Sequence, residues 1–306
     1  MDSCMLSGFL GFVMLTMLFA SGRGQVTFSQ NYNVAWGKDH FSSLNGDTEV
    51  QLKLDRSSGA GLESKSHLLS GLINMKIKIP QSKSSGVITT FYLTSKGNKQ
   101  DELDFEFIGS NGPPYSLSTN VFTKGVGSRE QKFRLWFDPS TDFHSYTILW
   151  NKFLIVFFVD DVPIRVFKNL GGEASYPTYG MQVIGTLWAA EEWAGKVDWS
   201  KAPFTAHYQN FDIDGVQEVG DQGALPDING CVVPDVPIPG LSRGCYYNHM
   251  NALWSWRRNR TLSARQIMPY QNVRRKYLVY DYCTDRARYP DPFPECKSPI
   301  GIHVAP

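Results

Sequence analysis

A chain of 306 residues, 42% of them hydrophobic, has room for one large domain or one domain with an extension. Its net charge of +1 removes the electrostatic case for a nucleic-acid partner. Aromatic residues make up 13%, enough to fill a core and leave some rings for stacking on flat ligand faces, though the core is the better expectation for any one ring.

Taken in order, the chain opens with an apolar run, Phe9 to Ala20, followed by the small residues Ser21 and Gly22 and by Arg23. The run is too short to span a bilayer and reads as a secretory signal peptide over residues 1–24, cleaved between Ala20 and Gln25. Its first residues depart from the usual pattern, with Asp2 and no Lys or Arg. No later segment is apolar enough to cross a membrane, so no membrane partner is expected once the signal is removed.

Residues 25–215 read as an all-β domain. Short alternating runs, separated by turn residues, predict strands at Glu49–Leu54, Ser70–Ile79, Val87–Leu93, Leu103–Ile108, Ser116–Phe122, Lys132–Trp136, Phe143–Trp150, Leu154–Val159, Gln182–Leu187 and Phe204–Asp212. Gly171-Gly172, Asp160-Asp161 and the Pro177 region are turn signals. Many short strands with no internal repeat argue for a two-sheet sandwich. Residues 216–240, rich in Gly, Pro and Asp, read as a linker, and residues 241–306 as an extension. Asn248–Arg260 and Ser263–Tyr280 read there as helical or mixed segments, with an arginine excess that suits a solvated face.

Of five cysteines, Cys4 lies in the signal, and Cys231, Cys245, Cys283 and Cys296 all lie in the last quarter. Four cysteines in an oxidising compartment allow three disulfide connectivities. The spacing is not that of a zinc knuckle, so no metal is expected. Asn259-Arg-Thr261 is an N-glycosylation sequon.

The stretch Asp101-Glu-Leu-Asp-Phe-Glu-Phe-Ile-Gly109 carries the chemistry. Strict alternation puts Leu103, Phe105 and Phe107 on one face of a strand and Glu102, Asp104 and Glu106 on the other. Three like charges on one face repel, which a surface strand has no reason to tolerate unless it is a solvated acidic strand or a calcium site. A general acid/base pair on a rigid support does need closely spaced carboxyls. Retaining glycosidases use two carboxyls ~5–5.5 Å apart. On a flat strand, positions i and i+4 lie about 13 Å apart, so the two glutamates must lean inward on a bent strand. Two charges ~7 Å apart at an effective dielectric of ~20 repel by roughly 2 kcal/mol, enough to keep one glutamate protonated near neutral pH. The middle carboxylate is placed to hold the nucleophile by a hydrogen bond.

These residues resemble the catalytic strand of the family 16 glycoside hydrolases, and within them the plant xyloglucan endotransglucosylase/hydrolases. The resemblance extends to Gly86-Val-Ile-Thr-Thr-Phe-Tyr-Leu93, Leu135-Trp-Phe-Asp-Pro139, Phe158-Val-Asp-Asp-Val-Pro-Ile-Arg165, Asp198-Trp-Ser-Lys-Ala-Pro-Phe204 and Tyr280-Asp-Tyr-Cys-Thr-Asp-Arg286, in order over nearly the whole mature chain. It implies a jelly roll with a concave sugar-binding cleft, no cofactor, a secreted monomer of the cell wall and apoplast, and xyloglucan chains as donor and acceptor. Glu102 would be the nucleophile, Asp104 its partner and Glu106 the acid/base.

For substrate contacts the resemblance implies Tyr92 as a stacking ring, Glu106 itself, Ser118-Thr119-Asn120 where the family reads Gln-Thr-Asn or His-Thr-Asn, and Ser128-Arg129-Glu130 where it reads Asp-Arg-Glu. It adds Trp188, Glu192 and Trp193 as a stacking platform with an acidic grip, and Tyr282, Arg286 and Arg288 on the acceptor side. It also implies the local pairing Cys231–Cys245 and Cys283–Cys296. Two departures stand out: the sequon usual after the catalytic strand is absent, and the loop after Trp193 is short. The known hydrolases of the family are associated with a longer cleft loop, so transfer is the expected activity. A hydrolase, or a non-catalytic wall-polysaccharide-binding protein, is the alternative.

Overall fold

The computed structural model describes residues 25–81, 83–110, 112, 114–171, 175–217 and 259–297. The signal peptide, the linker from residue 218, Cys231, Cys245 and the helical reading of 248–258 lie outside the described residues. Sixteen strands are described: β1 (Tyr32–Trp36), β2 (Phe41–Leu44), β3 (Glu49–Leu54), β4 (Ala60–Ser64), β5 (Leu68–Lys78), β6 (Val87–Thr94), β7 (Glu102–Ile108) and β8 (Ser116–Phe122). They continue as β9 (Gln131–Arg134), β10 (His144–Trp150), β11 (Leu154–Val159), β12 (Val162–Lys168), β13 (Gln182–Ala189), β14 (Phe204–Gln209), β15 (Asp214–Gln217) and β16 (Leu278–Asp281).

One sheet runs β1-β4-β13-β6-β7-β8-β9-β16, and the other β12-β11-β10-β5-β14-β3-β2 with β15 added to β5. The predicted catalytic strand therefore becomes β7, central in the first sheet and paired antiparallel with β6 and β8. Its alternation has the expected consequence. Leu103, Phe105 and Phe107 are buried between the sheets. There the Phe105 ring meets Tyr146 at 5.8 Å and Phe157 at 5.2 Å between centroids, both edge-on, as aromatic quadrupoles prefer.

The run Leu154-Ile-Val-Phe-Phe-Val159 does not alternate, because both faces of β11 are covered. One face joins the core between the sheets. The other, through Leu154, Val156 and Phe158, packs under the helix Ala264–Lys276 by way of Ile267 and Tyr270. Gln266 reaches back to the Ser263 N–H (2.9 Å) to cap that helix, and Arg274, Arg275 and Lys276 fill its last turn, where the helix dipole favours cations.

Three sequence readings shift. The segment expected as helical or mixed over Ser263–Tyr280 is a helix only to Lys276, after which the chain becomes β16 and adds to β9. The extension thus completes the cleft-bearing sheet. The strand expected to reach Asp212 ends at Gln209, where Asn210 takes a left-handed φ of 67°. The main chain continues past residue 215 as β15, which pairs with β5 as far as Gln217.

Candidate active site

Glu102, Asp104 and Glu106 line a cleft of about 340 Å³ on the outer face of the first sheet, with Trp36, Thr90, Tyr92, Thr186 and Trp188. Register sets these neighbours. Across β6, Tyr92 stands opposite Asp104 and Thr90 opposite Glu106; across β8, Asn120 stands opposite Asp104 and Ser118 opposite Glu106.

Asp101 anchors the start of the catalytic strand. It is fully buried, and its Oδ1 accepts from the Lys124 N–H (2.8 Å) while its Oδ2 accepts from those of Thr178 (2.6 Å) and Tyr179 (3.0 Å). Two loops are thereby tied to the residue before Glu102. On the far side of the cleft floor, Tyr208 donates from the second sheet to the Thr90 and Thr186 carbonyls (2.9 and 3.0 Å), and the two threonine hydroxyls sit 2.7 Å apart.

Burial raises all three carboxyls, and their mutual repulsion separates their roles. Asp104 is pushed well above the carboxylate range, first by burial and then by the charges of Glu102 and Glu106; it hydrogen-bonds Glu102, and the Arg165 guanidinium acts in the opposite direction. Glu102 is raised by burial, and hydrogen bonds from Thr94 and Asp104 pull it back. Glu106 is raised to about 7 by burial and by the charges of Glu102 and Glu130, with Lys132 offsetting them. This arrangement can hold a proton on Asp104 that is donated to an ionised Glu102. It leaves Glu106 able to carry a proton below neutral pH and give it up when the charge on Glu102 disappears.

The other expected contacts separate. Tyr92 and Trp188 line the cleft, and the mostly exposed Trp193 ring lies 6.4 Å from that of Trp188. Ser118 and Asn120 share the cleft side of β8 by register. The Asn120 Oδ1 accepts from the Val121 and Arg129 N–H groups (2.9 and 3.0 Å), so its amide nitrogen is the group left to donate.

Thr119 needs correction: the next residue on the same strand must face the other way, and its hydroxyl bonds Arg165 and the Gln131 carbonyl between the sheets. Arg129 needs correction too. Its side chain is 4% exposed and pairs with Glu295 of the extension at 2.6 Å, so it bolts the extension in place and does not face sugar. Ser128 makes the turn into that bolt with a φ of 62°. Glu130 accepts the Tyr282 N–H on its carbonyl (3.1 Å) and carries a buried carboxylate oxygen with no partner among the described residues. In the loop after Trp188, Glu191 accepts the Val197 N–H (2.9 Å) while Glu192 is exposed. Arg286 and Arg288 are exposed on the extension, and Tyr282 is buried. Cys283–Cys296 is bonded. Asn259 is exposed.

Sequence reasoning missed Trp36, Thr90 and Thr186. The two threonines lie two residues before Tyr92 and Trp188 on the same strand faces, so alternation alone pointed to them. Trp36 follows a register shift in β1, which a strict two-residue period cannot anticipate. Its indole lies over Gly61, where a Cβ would overlap the ring nitrogen.

Comparison with known proteins agrees with this geometry. Residues 28–204 match the glycosyl hydrolases family 16, and residues 249–296 match the xyloglucan endo-transglycosylase C-terminus. The chain is 48% identical to xyloglucan endotransglucosylase/hydrolase protein 2 of Arabidopsis thaliana, over 91% of each chain. It is 44% identical to probable xyloglucan endotransglucosylase/hydrolase 1 of Solanum lycopersicum, over 90% of each. A β-glucanase of Bacillus licheniformis has the same jelly-roll fold, with a TM-score of 0.51 at 22% identity over 58% of this chain and 89% of that one. Matched in order across both its jelly roll and its extension, and similar to these relatives over nearly its whole length, the chain belongs to the xyloglucan endotransglucosylase/hydrolases of glycosyl hydrolase family 16 and is an enzyme acting on glycans.

Proposed function

We propose that this enzyme is a retaining, endo-acting xyloglucan endotransglucosylase. The observation that carries the reading is the row of three carboxyls in the cleft, with Asp104, pushed well above the carboxylate range by burial and by its neighbours' charges, between Glu102 and a Glu106 raised to about 7. In the first step a Glu102 oxygen bonds the anomeric carbon of a backbone glucose. The glycosidic bond breaks, and its oxygen leaves with the proton of Glu106. Esterified Glu102 has no charge, so the pKa of Glu106 falls and its carboxylate becomes the base. In the second step Glu106 takes the proton of an acceptor hydroxyl, whose oxygen displaces Glu102 from the sugar. Two inversions retain the anomeric configuration.

Transfer is favoured over hydrolysis by how the acceptor side is built. β16 of the extension continues the cleft-bearing sheet beyond β9, which adds surface for a second chain. A positioned sugar hydroxyl competes with water through effective molarities of ~10⁵ M or more. The loop after Trp193 is short and pinned, with the Ala194 carbonyl accepting the Gly86 N–H (2.8 Å).

The apolar leader at 1–24 and the Cys283–Cys296 bond support secretion into the cell wall, where the named relatives' substrate would be met. No helix among the described residues is long and apolar enough to cross a membrane. In this reading residues 25–215 form the catalytic domain and 241–306 the acceptor-side extension, the enzyme works as a monomer, and the exposed Asn259 carries a glycan.

Labelled xyloglucan oligosaccharide tests the reading. Label should enter polymer faster than new reducing ends appear. Steady release of reducing ends, indifferent to oligosaccharide, would make the enzyme a hydrolase, and no change in chain length at all would leave it a binding protein.

A further inference from the structure

Behind the cleft lies a buried cation. Arg165 of β12 is 1% exposed and reaches from the edge of the second sheet to the rear of the first. One guanidinium nitrogen donates to the Thr119 carbonyl (2.7 Å) and hydroxyl (3.0 Å), and the other to the Arg129 carbonyl (2.6 Å). All three acceptors are neutral, and the guanidinium carbon lies over the rings of Phe157 and Tyr282, 5.6 and 5.8 Å from their centroids. Taking an arginine out of water to bond neutral oxygens is costly, and core packing alone would be better served by a leucine or methionine.

The bonded atoms show what the cation holds. Thr119 pairs with Phe105, between Asp104 and Glu106 on the catalytic strand. The Arg129 N–H bonds the Asn120 amide, opposite Asp104. Tyr282 and Glu295, each beside a cysteine of the Cys283–Cys296 bond, close the ring: the Tyr282 hydroxyl donates to Glu295 (3.2 Å), which pairs with Arg129.

We propose that Arg165 is a positioning residue for the reaction: its fork fixes β8 against the catalytic strand, and its charge lies behind the Glu102–Asp104 pair. The inference rests on the carboxyl roles proposed above. The groups facing that pair are Glu106 on its own strand, Tyr92 and Thr94 on β6, Gln100 just before the strand and Arg165 behind Asp104, while β8 offers neutral Asn120. Arg165 itself is faced by Tyr282, Asp281, Arg274 and Arg129. Arg165 thus opposes the two neighbouring glutamates at Asp104, and removing it makes the pair easier to protonate.

The test compares Arg165→Met with Arg165→Lys in the full chain, by kcat, KM and the pH profile of transfer to labelled oligosaccharide. Arg165→Met should lower kcat ~10²-fold, change KM little, and move the acid limb of the profile up by about one pH unit. Arg165→Lys should keep the acid limb and lose roughly tenfold in kcat, because charge survives and the fork does not. Wild-type kcat in either variant overturns the inference, as does an acid limb that stays in place in Arg165→Met. Where Arg165→Met does not fold, the kcat of Arg165→Lys decides. A wild-type enzyme with no action on glucan would instead overturn the proposed function, so the two failures are distinguishable.

Discussion

The two flanks of the cleft are made of different materials. On the β6 and β13 side the wall is aromatic: Trp36, Tyr92 and Trp188, with Trp193 beside them. Trp36, Tyr92 and Trp188 sit on strands of one sheet, Trp193 in the turn after β13, and Thr90 and Thr186 line the cleft with them. On the β8 and β9 side the wall is polar and charged, with Ser118, Asn120 and Lys132 in register and Glu130 at the turn. That flank is held from behind by a network drawn from three places, joining β12, β8 and the extension through Arg165, Arg129 and Glu295. Flat rings give shape and area to a sugar face, while the charged flank tunes Glu106 and depends on the extension for its position.

The largest expected effect lies where the flanks meet. Glu102→Gln keeps the shape of the strand and removes the attacking oxygen, so turnover should fall by about 10⁴-fold with polymer binding intact. Substantial activity in a preparation free of deamidated protein would place the nucleophile elsewhere. Next comes the bolt of the charged flank. Arg129 and Glu295 are both nearly buried, and breaking a buried pair costs about 3 kcal/mol. In Glu295→Gln, hydrogen exchange should quicken in residues 278–297 first and leave β5 and β10 protected. Uniform acceleration would show that the extension is not a separately held piece.

A smaller effect tests the aromatic flank. Trp188→Ala should raise KM roughly tenfold with little change in kcat, the loss of one stacking ring. A kcat effect of that size without a KM effect would contradict the contrast between flanks. The finest test is the pH profile. Glu106 must be protonated to act as acid, so kcat/KM falls as pH rises through its value of about 7. Lys132 lowers that value and Glu130 raises it. The basic limb should therefore move up in Lys132→Met and down in Glu130→Gln, each by less than about one unit. Equal shifts in one direction would show that the limb does not belong to Glu106.

The aromatic flank and the catalytic strand were largely legible in the sequence; the support of the charged flank was not. Ser116–Phe122 and Leu154–Val159 were read with their observed bounds, because alternation or an unbroken apolar run is a local signal. The strands that escaped notice lack it. β4 opens on Ala60-Gly61, β12 contains Pro163, and β2 is Phe-Ser-Ser-Leu. Thr119 and Asn120 were both expected at the substrate, although adjacent residues on a strand cannot share a face. Arg129 and Glu295 stand 166 residues apart, and no periodicity connects them.

The most direct test of the central claim is to trap the glycosyl-enzyme. Glu106→Ala, given a xyloglucan oligosaccharide with a good leaving group, needs no acid for the first step but lacks the base for the second, so a covalent intermediate should accumulate. Peptide mass spectrometry should find the sugar as an ester on Glu102, and added azide should discharge it to a product of retained configuration. A folded Glu106→Ala enzyme that forms no ester, is not rescued by azide, or carries the sugar on another residue would contradict the account.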